Sequence, residues 1–215
     1  TAALLGSVTY GGAAQSAKNV GSYVLSGTVA SGAGYLVTLN NATLTVNKAD
    51  LVLSGTRAYD GSQTFAGQFL TATGVNNESF ALTGSGHSSN LSTKNVQTNQ
   101  LLASLTGLSL GASNGTNTAL SSNYNAISTT GSSVSVTRKA ATVTGTTTQV
   151  TYNGNLQNQQ AATSSGFVSG DSISITGLAS GQNAATYASN LGVTGTDAAN
   201  YNITFTNADL VIGKA

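Results

Sequence analysis

The chain repeats itself, and that limits its possible folds more than any other feature. Four landmarks recur in one order along 215 residues. The first is a tyrosine–x–glycine triplet, in "SVTYGGAAQ" (Tyr10), "TRAYDGSQTF" (Tyr59) and "VTYNGNLQ" (Tyr152). Next comes an asparagine before a small apolar residue, in "AKNVGSY" (Asn19), "TKNVQTN" (Asn95) and "GQNAATY" (Asn183). A tyrosine opening a final hairpin follows, at Tyr35, Tyr124 and Tyr201, and then a closing Lys-Ala at Lys48, Lys139 and Lys214. From the third landmark to the fourth the intervals are 13, 15 and 13 residues. This spacing predicts three units, 1–48, 49–139 and 140–215, each starting where the last one stops. The first is short or partial: Tyr10 to Asn19 spans 9 residues, where Tyr152 to Asn183 spans 31.

Within the units the pattern is β. "NATLTVN" alternates Leu44 and Val46 with threonines, and "DSISITG" alternates Ile173 and Ile175 with polar neighbours. "YNITFTNADLVIG" places Tyr201, Ile203 and Phe205 on one face, turns at "TNAD", and returns through Leu210 and Ile212. Such period-two runs, rich in β-branched residues and bounded by Gly and Asn, are half-buried strands. No stretch sustains a helical period. Without helices for crossovers the sheets are expected to be antiparallel. The predicted fold is all-β: tandem small immunoglobulin-like antiparallel β-sandwich modules in an elongated array. A β-solenoid is the rival, but its repeat of ~20–30 residues is shorter than the landmark spacing.

Composition sets the chemistry available. Charged residues are 6% of the chain and the formal net charge is +1, against ~25% charged in ordinary soluble domains. Seven basic residues, scattered over the chain, make no nucleic-acid patch. With no Cys there is neither disulfide nor thiolate chemistry, and with no Met residue 1 is expected to lie inside a longer chain. "TAALLGS" lacks the charged flank and length of a signal peptide, and no apolar run is long enough to span a membrane.

The triplet itself reads as a turn. Its middle residue is Gly11, Asp60 or Asn153, which share no acid–base chemistry but all tolerate positive φ. A two-residue primed turn, positive at both central positions, is therefore expected, with the tyrosine ring in the core and its hydroxyl on a backbone group. Asp60 is a turn residue in this reading.

His87 is the single histidine and lies in the loop "GSGHSSN". The six acids, Asp50, Asp60, Glu78, Asp171, Asp197 and Asp209, are spread one at a time, with no dyad or calcium-loop spacing. Asp171 and Asp209, near strand ends, are expected to cap turns, the alternative being calcium held between units. Five N-x-[ST] sequons (Asn41, Asn77, Asn90, Asn114, Asn202) fit chance in a chain this rich in Asn, Ser and Thr. A lysine–asparagine isopeptide cross-link needs a buried acid beside the pair, and acids are scarce. No catalytic, cofactor-binding or metal-binding residue is predicted, no cofactor is expected, and a ligand-binding residue cannot be named from sequence.

Laid out this way, the chain resembles the glycine-rich MBG and YDG repeat domains of large bacterial surface adhesins, the filamentous haemagglutinin-like proteins exported by two-partner secretion. "VGSYVLSG" (20–27) and "GYLVTLNNATLTVNKA" (34–49) carry the MBG likeness. "AYDGSQTF" (58–65), "TYNG", "SGDSISITG" and "TDAANYNITFTNADLVIGKA" (196–215) carry the YDG likeness. The resemblance implies an extracellular location on the bacterial cell surface, no enzyme activity, and no catalytic residue. It also implies work as tandem spacers or adhesive units in cell adhesion or biofilm formation.

Two functions follow. In one the units are rigid links of a stalk, because "NKADLVLSG" and "RKAATVTGT" leave no flexible linker at the joins, and the partners are adjacent repeat modules. In the other the fragment binds a host or matrix glycan or a surface protein. About eleven extra residues lie near "SLGASNGTNTALSSN" (109–123), since Asn95 to Tyr124 is 29 residues and Asn183 to Tyr201 is 18. Neither nucleic acid nor membrane insertion is expected.

Overall fold

A computed structural model of the chain describes residues 7–30, 34, 36–114 and 120–215. Tyr35 and part of the inserted stretch, 115–119, lie outside the described residues. The protein is all-β, and among the described residues helical structure is confined to 3-10 turns of three or four residues.

The first sheet is antiparallel, built from β1 (Val8–Gly11), β2 (Gly21–Val29) and β3 (Ala42–Val46), with Tyr23 opposite Leu44. Six strands form the second: β4 (Val52–Ala58), β5 (Leu70–Thr73), β6 (Ser79–Thr83), β7 (Gln97–Gln100), β8 (Ser109–Ser113) and β9 (Ser133–Thr137). Their order is β7-β9-β4-β5-β6-β8. The remaining strands are β10 (Lys139–Thr144), β11 (Thr148–Thr151), β12 (Gln157–Asn158), β13 (Thr163–Ser165), β14 (Ser174–Thr176), β15 (Ser180–Gly181), β16 (Thr186–Ala188), β17 (Gly192–Thr194), β18 (Tyr201–Thr206) and β19 (Asp209–Gly213). They make two three-stranded sheets, β13-β10-β18 and β11-β19-β16, and two ribbons, β12-β15 and β14-β17.

Period-two burial holds in part: Leu44 of β3 and Phe205 of β18, expected on the apolar faces of half-buried strands, are exposed. Phe80 and Leu82 of β6, Val134 and Val136 of β9, and Leu210 and Ile212 of β19 are buried while their neighbours are more exposed. The expectation of purely antiparallel sheets is wrong, because β4–β9, β10–β18 and β11–β19 are parallel pairs. A parallel pair needs a long crossover, usually a helix. Here the β structure lying between the two strands serves as that crossover.

The expected final hairpin is also corrected. β18 and β19 are separated by Asn207 and Ala208 alone, yet they join different sheets, beside β10 and β11. The chain steps from one sheet to the other twice, side by side. Gly145 N–H, on one step, donates to Thr206 C=O, on the other, at 2.8 Å.

The tyrosine–x–glycine turns have a simpler geometry than a primed turn. Only the glycine is left-handed, at φ 79° for Gly61 and 78° for Gly154; neither Asp60 nor Asn153 has positive φ. The middle side chain accepts a hydrogen bond from the backbone two residues on: Ser62 N–H to Asp60 Oδ1 at 2.9 Å, Asn155 N–H to Asn153 Oδ1 at 3.0 Å. These are Asx turns, which Asp and Asn make equally well because only an acceptor oxygen is used. Both tyrosines donate their backbone N–H to the closing strand, Tyr59 to Thr137 O and Tyr152 to Gly213 O. The rings differ. Tyr59 is buried, whereas Tyr10 and Tyr152 are exposed, so the expected core tyrosine holds at one copy of three.

One apolar cluster runs from Leu51, Leu53, Tyr59 and Phe65 through Phe80, Tyr124 and Val136 to Ala141 and Tyr201, with Phe167, Val168 and Ile203 packed against it. A smaller cluster gathers Ala179, Leu210 and Ile212. No described residue before Leu51 is buried.

Candidate functional site

The densest polar chemistry lies inside the large core, where residues 59 and 94 meet residues 168–201. Tyr59 follows β4 directly and Tyr201 opens β18; their rings meet edge to face, centroids 5.5 Å apart. Both hydroxyls donate to Asp171, Tyr59 at 2.9 Å to Oδ2 and Tyr201 at 2.5 Å to the same oxygen. Lys94 Nζ donates to Asp171 Oδ1 at 3.0 Å and pairs with Asp197 Oδ1 at 2.8 Å. The Asp171 side chain is 3% exposed and that of Lys94 35%. The ammonium therefore enters from the rim while the carboxylate sits at the bottom.

Local structure aims each group. Asp171 follows Val168 by three residues, and Asp171 N–H donates to Val168 O. Val168 N–H in turn donates to the Tyr201 hydroxyl at 2.8 Å. Asp197 begins the 3-10 turn Ala198–Asn200, and its other oxygen accepts Ser172 N–H at 2.9 Å.

The protonation states follow from these contacts. Burial alone would raise Asp171, but hydrogen bonds from Tyr201, Lys94 and Tyr59 outweigh it and hold the carboxyl below its usual range. The Lys94 hydrogen bond and then Ser172 N–H hold Asp197 low. Hydrogen bonding to Asp197, then Asp171, holds Lys94 above its ordinary value. Burial, then Asp171, pushes Tyr201 up to about 12, and burial raises Tyr59. Through neutral pH the cluster is a fixed set of one ammonium, two carboxylates and two phenols. Such a set ties remote strands together; its lysine is not a free base.

A second cluster repeats the first in outline. Val75 N–H donates to the Tyr124 hydroxyl at 3.2 Å, and that hydroxyl donates to Glu78, three residues after Val75, at 2.5 Å. Burial, then Glu78, raises Tyr124. Lys18 stands where Lys94 stands in its own repeat, yet among the described residues it has no ion pair. A cleft of about 450 Å³ lies there, lined by Lys18, Val20, Asn76, Glu78, Asn123 and Tyr124 among others.

Beside each cluster an asparagine pair closes the corner. Val20 N–H donates to Asn123 Oδ1 at 2.9 Å while Asn123 Nδ2 donates to Asn19 Oδ1 at 2.9 Å. Val96 N–H donates to Asn200 Oδ1 at 3.0 Å while Asn200 Nδ2 donates to Asn95 Oδ1 at 3.0 Å. Asn123 and Asn200 each end a 3-10 turn, Ser121–Asn123 and Ala198–Asn200, just before the tyrosine.

The sequence-predicted residues scatter around these clusters. Asp171 caps no turn, since it accepts two phenols and a lysine; a buried acceptor beside Lys94 is what sequence spacing could not reveal. Asp209 is exposed at the start of β19. Asp60 is the turn residue expected and also pairs with buried Arg57 at 2.6 Å. Asp50 accepts Asn125 Nδ2 at 2.7 Å. His87 is exposed and bonded to Ser89. Asn90 is fully buried: its amide serves Phe65 N–H, His87 N–H, Ser104 O and Thr106 O, which leaves no room for a glycan. Asn41, Asn77, Asn114 and Asn202 are exposed. Part of the inserted stretch forms β8, which pairs with β6 at the sheet edge. Among the described residues no group of three or more His, Cys, Asp or Glu could hold a metal, and no helix is long and apolar enough to cross a membrane.

Sequence reasoning missed Lys94, Asp197, Asn123 and Asn200. A signal was present: Lys precedes Asn at 18–19 and 94–95, and Asn-Tyr recurs at 123–124 and 200–201. Compared with protein-family models, curated proteins and solved structures, the chain finds no match in any of the three.

Proposed function

We propose that this chain is a non-enzymatic segment of a bacterial surface adhesin. Its repeats act as stiff spacer modules, small immunoglobulin-like sandwiches with mixed rather than antiparallel sheets, displayed outside the cell in adhesion or biofilm formation. The observation that carries the reading is the join at Lys139-Ala140. One residue, Arg138, separates β9 from β10, and Arg138 Nε itself holds Ala199 O at 3.0 Å. The apolar cluster continues across this join, and Lys94 crosses it to reach Asp171 and Asp197. A join without slack, packed and cross-linked on both sides, transmits bending force instead of absorbing it. Low charge and the absence of Cys suit a chain that leaves the cell unfolded and collapses outside without an oxidant. Small-angle scattering on the 215-residue chain tests the reading: an extended rod profile is expected, and a compact globular profile or one typical of a flexible tether would sink it.

A further inference from the structure

The two asparagine pairs are one device used twice, and the chain holds a third half of it. In each finished copy, an Asn-(Val) corner on one repeat receives the Asn of a 3-10–Asn-Tyr turn on the next. The corner contributes a backbone N–H and an amide oxygen; the incoming side chain accepts the first and donates to the second. Asn183-Ala184 has the same placement as Asn19-Val20. Tyr23 and Tyr187, four residues on, each return their hydroxyl to the Asn carbonyl, at 2.7 Å to Asn19 O and 3.1 Å to Asn183 O. Across the strand pair they face Leu44 and Leu210, each four residues before a closing lysine. Yet Asn183 and Ala184 are exposed, and neither the Asn183 side chain nor Ala184 N–H has a partner among the described residues.

We infer that the Asn183-Ala184 corner is a docking surface for a further module of this kind, recognised through a 3-10 turn that ends in Asn-Tyr. The occupant's asparagine accepts Ala184 N–H and donates to Asn183 Oδ1. The approach is in line: Ala49, after the first closing lysine, lies in parallel register against the incoming Tyr124, and Lys139 and Ala140 lie in parallel register against Tyr201 and Asn202; Ala215 follows Lys214 as Ala49 follows Lys48. A free donor and acceptor pair matching two filled ones selects this partner over a glycan or an unrelated protein, since a wrong partner leaves the pair unsatisfied. The inference rests on the spacer reading for its biological setting, but its test is local and separate.

Amide hydrogen exchange, read by NMR at Ala184, supplies that test, with Val20 and Val96 as internal references. In the 215-residue chain Ala184 is expected to exchange fast while Val20 and Val96 are protected. Extending the chain after Ala215 with a second copy of residues 141–215 should slow Ala184 exchange by roughly tenfold or more. Changing the appended copy's counterpart of Asn200 to Ala should abolish the effect. A parallel extension with residues 50–139 supplies the Asn123 turn instead and should act alike, which guards against one extension failing to fold. Unchanged Ala184 exchange beside a folded extension would overturn the inference, even where scattering still reports a rod. Protection of Ala184 in the unextended chain that grows with protein concentration would overturn it too, in favour of docking between separate copies. So would Asn123→Ala and Asn200→Ala chains in which Val20 and Val96 stay protected.

Discussion

The two joins share a plan and differ in what fills it. At Lys48-Ala49 the asparagine pair is made, Tyr124 reaches Glu78, and an open cleft of about 450 Å³ remains beside Lys18. At Lys139-Ala140 the same pair is made, but Lys94 is drawn between two carboxylates, and a second tyrosine, Tyr59, completes the cluster. The first sheet contributes no buried residue, whereas residues on both sides of the second join share one core. Hydrogen bonds alone can set the register of two neighbours. Fusing them into one cooperative body takes apolar burial, with the buried charges satisfied.

The largest contrast is expected from the two acids. Asp171→Ala takes the acceptor from two phenols and leaves Lys94 with Asp197 alone, and even with Lys94 a third exposed it should cost about 2–4 kcal/mol in urea unfolding. Glu78→Ala removes one phenol's acceptor and should cost about 1 kcal/mol. Equal losses would mean that Asp171 ties the second join no more tightly than Glu78 ties the first.

The pH dependence should follow. Asp171 and Asp197 are held below their ordinary values, so their contribution is present above about pH 4 and drains away as pH falls through their folded values. Lys94, Tyr59 and Tyr201 are held above theirs, so their contribution is complete below about pH 10 and is lost as pH rises further. A stability plateau with two falling limbs is expected, and Asp171→Ala should flatten both. An unaltered acid limb in that variant would remove Asp171 from the account.

Lysine replacement sharpens the contrast. Lys94→Met leaves two adjacent carboxylates uncompensated and should cost about 1–3 kcal/mol, while Lys18→Met should stay within about 0.5 kcal/mol; thermal unfolding of both variants reads the difference. The smallest effect is the turn glycines. A Cβ on Gly61 would meet Val168 Cγ1 at 2.8 Å, whereas one on Gly154 meets nothing within 4 Å. Both residues are left-handed, so each alanine variant should cost about 1 kcal/mol. Gly61→Ala should add roughly 1 kcal/mol more for the crowding of Val168. Equal costs would mean that Val168 does not press on the turn.

The all-β character, the buried face of β19 and the role of Asp60 as a turn residue were legible in the sequence. Each depends on near neighbours, through alternation at period two or an oxygen placed two residues before a donor. Everything that depends on remote partners came from the packing of the sheets. It paired β10 with β18 and β11 with β19 in parallel, buried Tyr59 while leaving Tyr10 and Tyr152 exposed, and brought Lys94 to acids 77 and 103 residues away. A charge has no preferred sequence distance to its partner, so a single acid and a single lysine carry no mark of their meeting until the sheets bring them together.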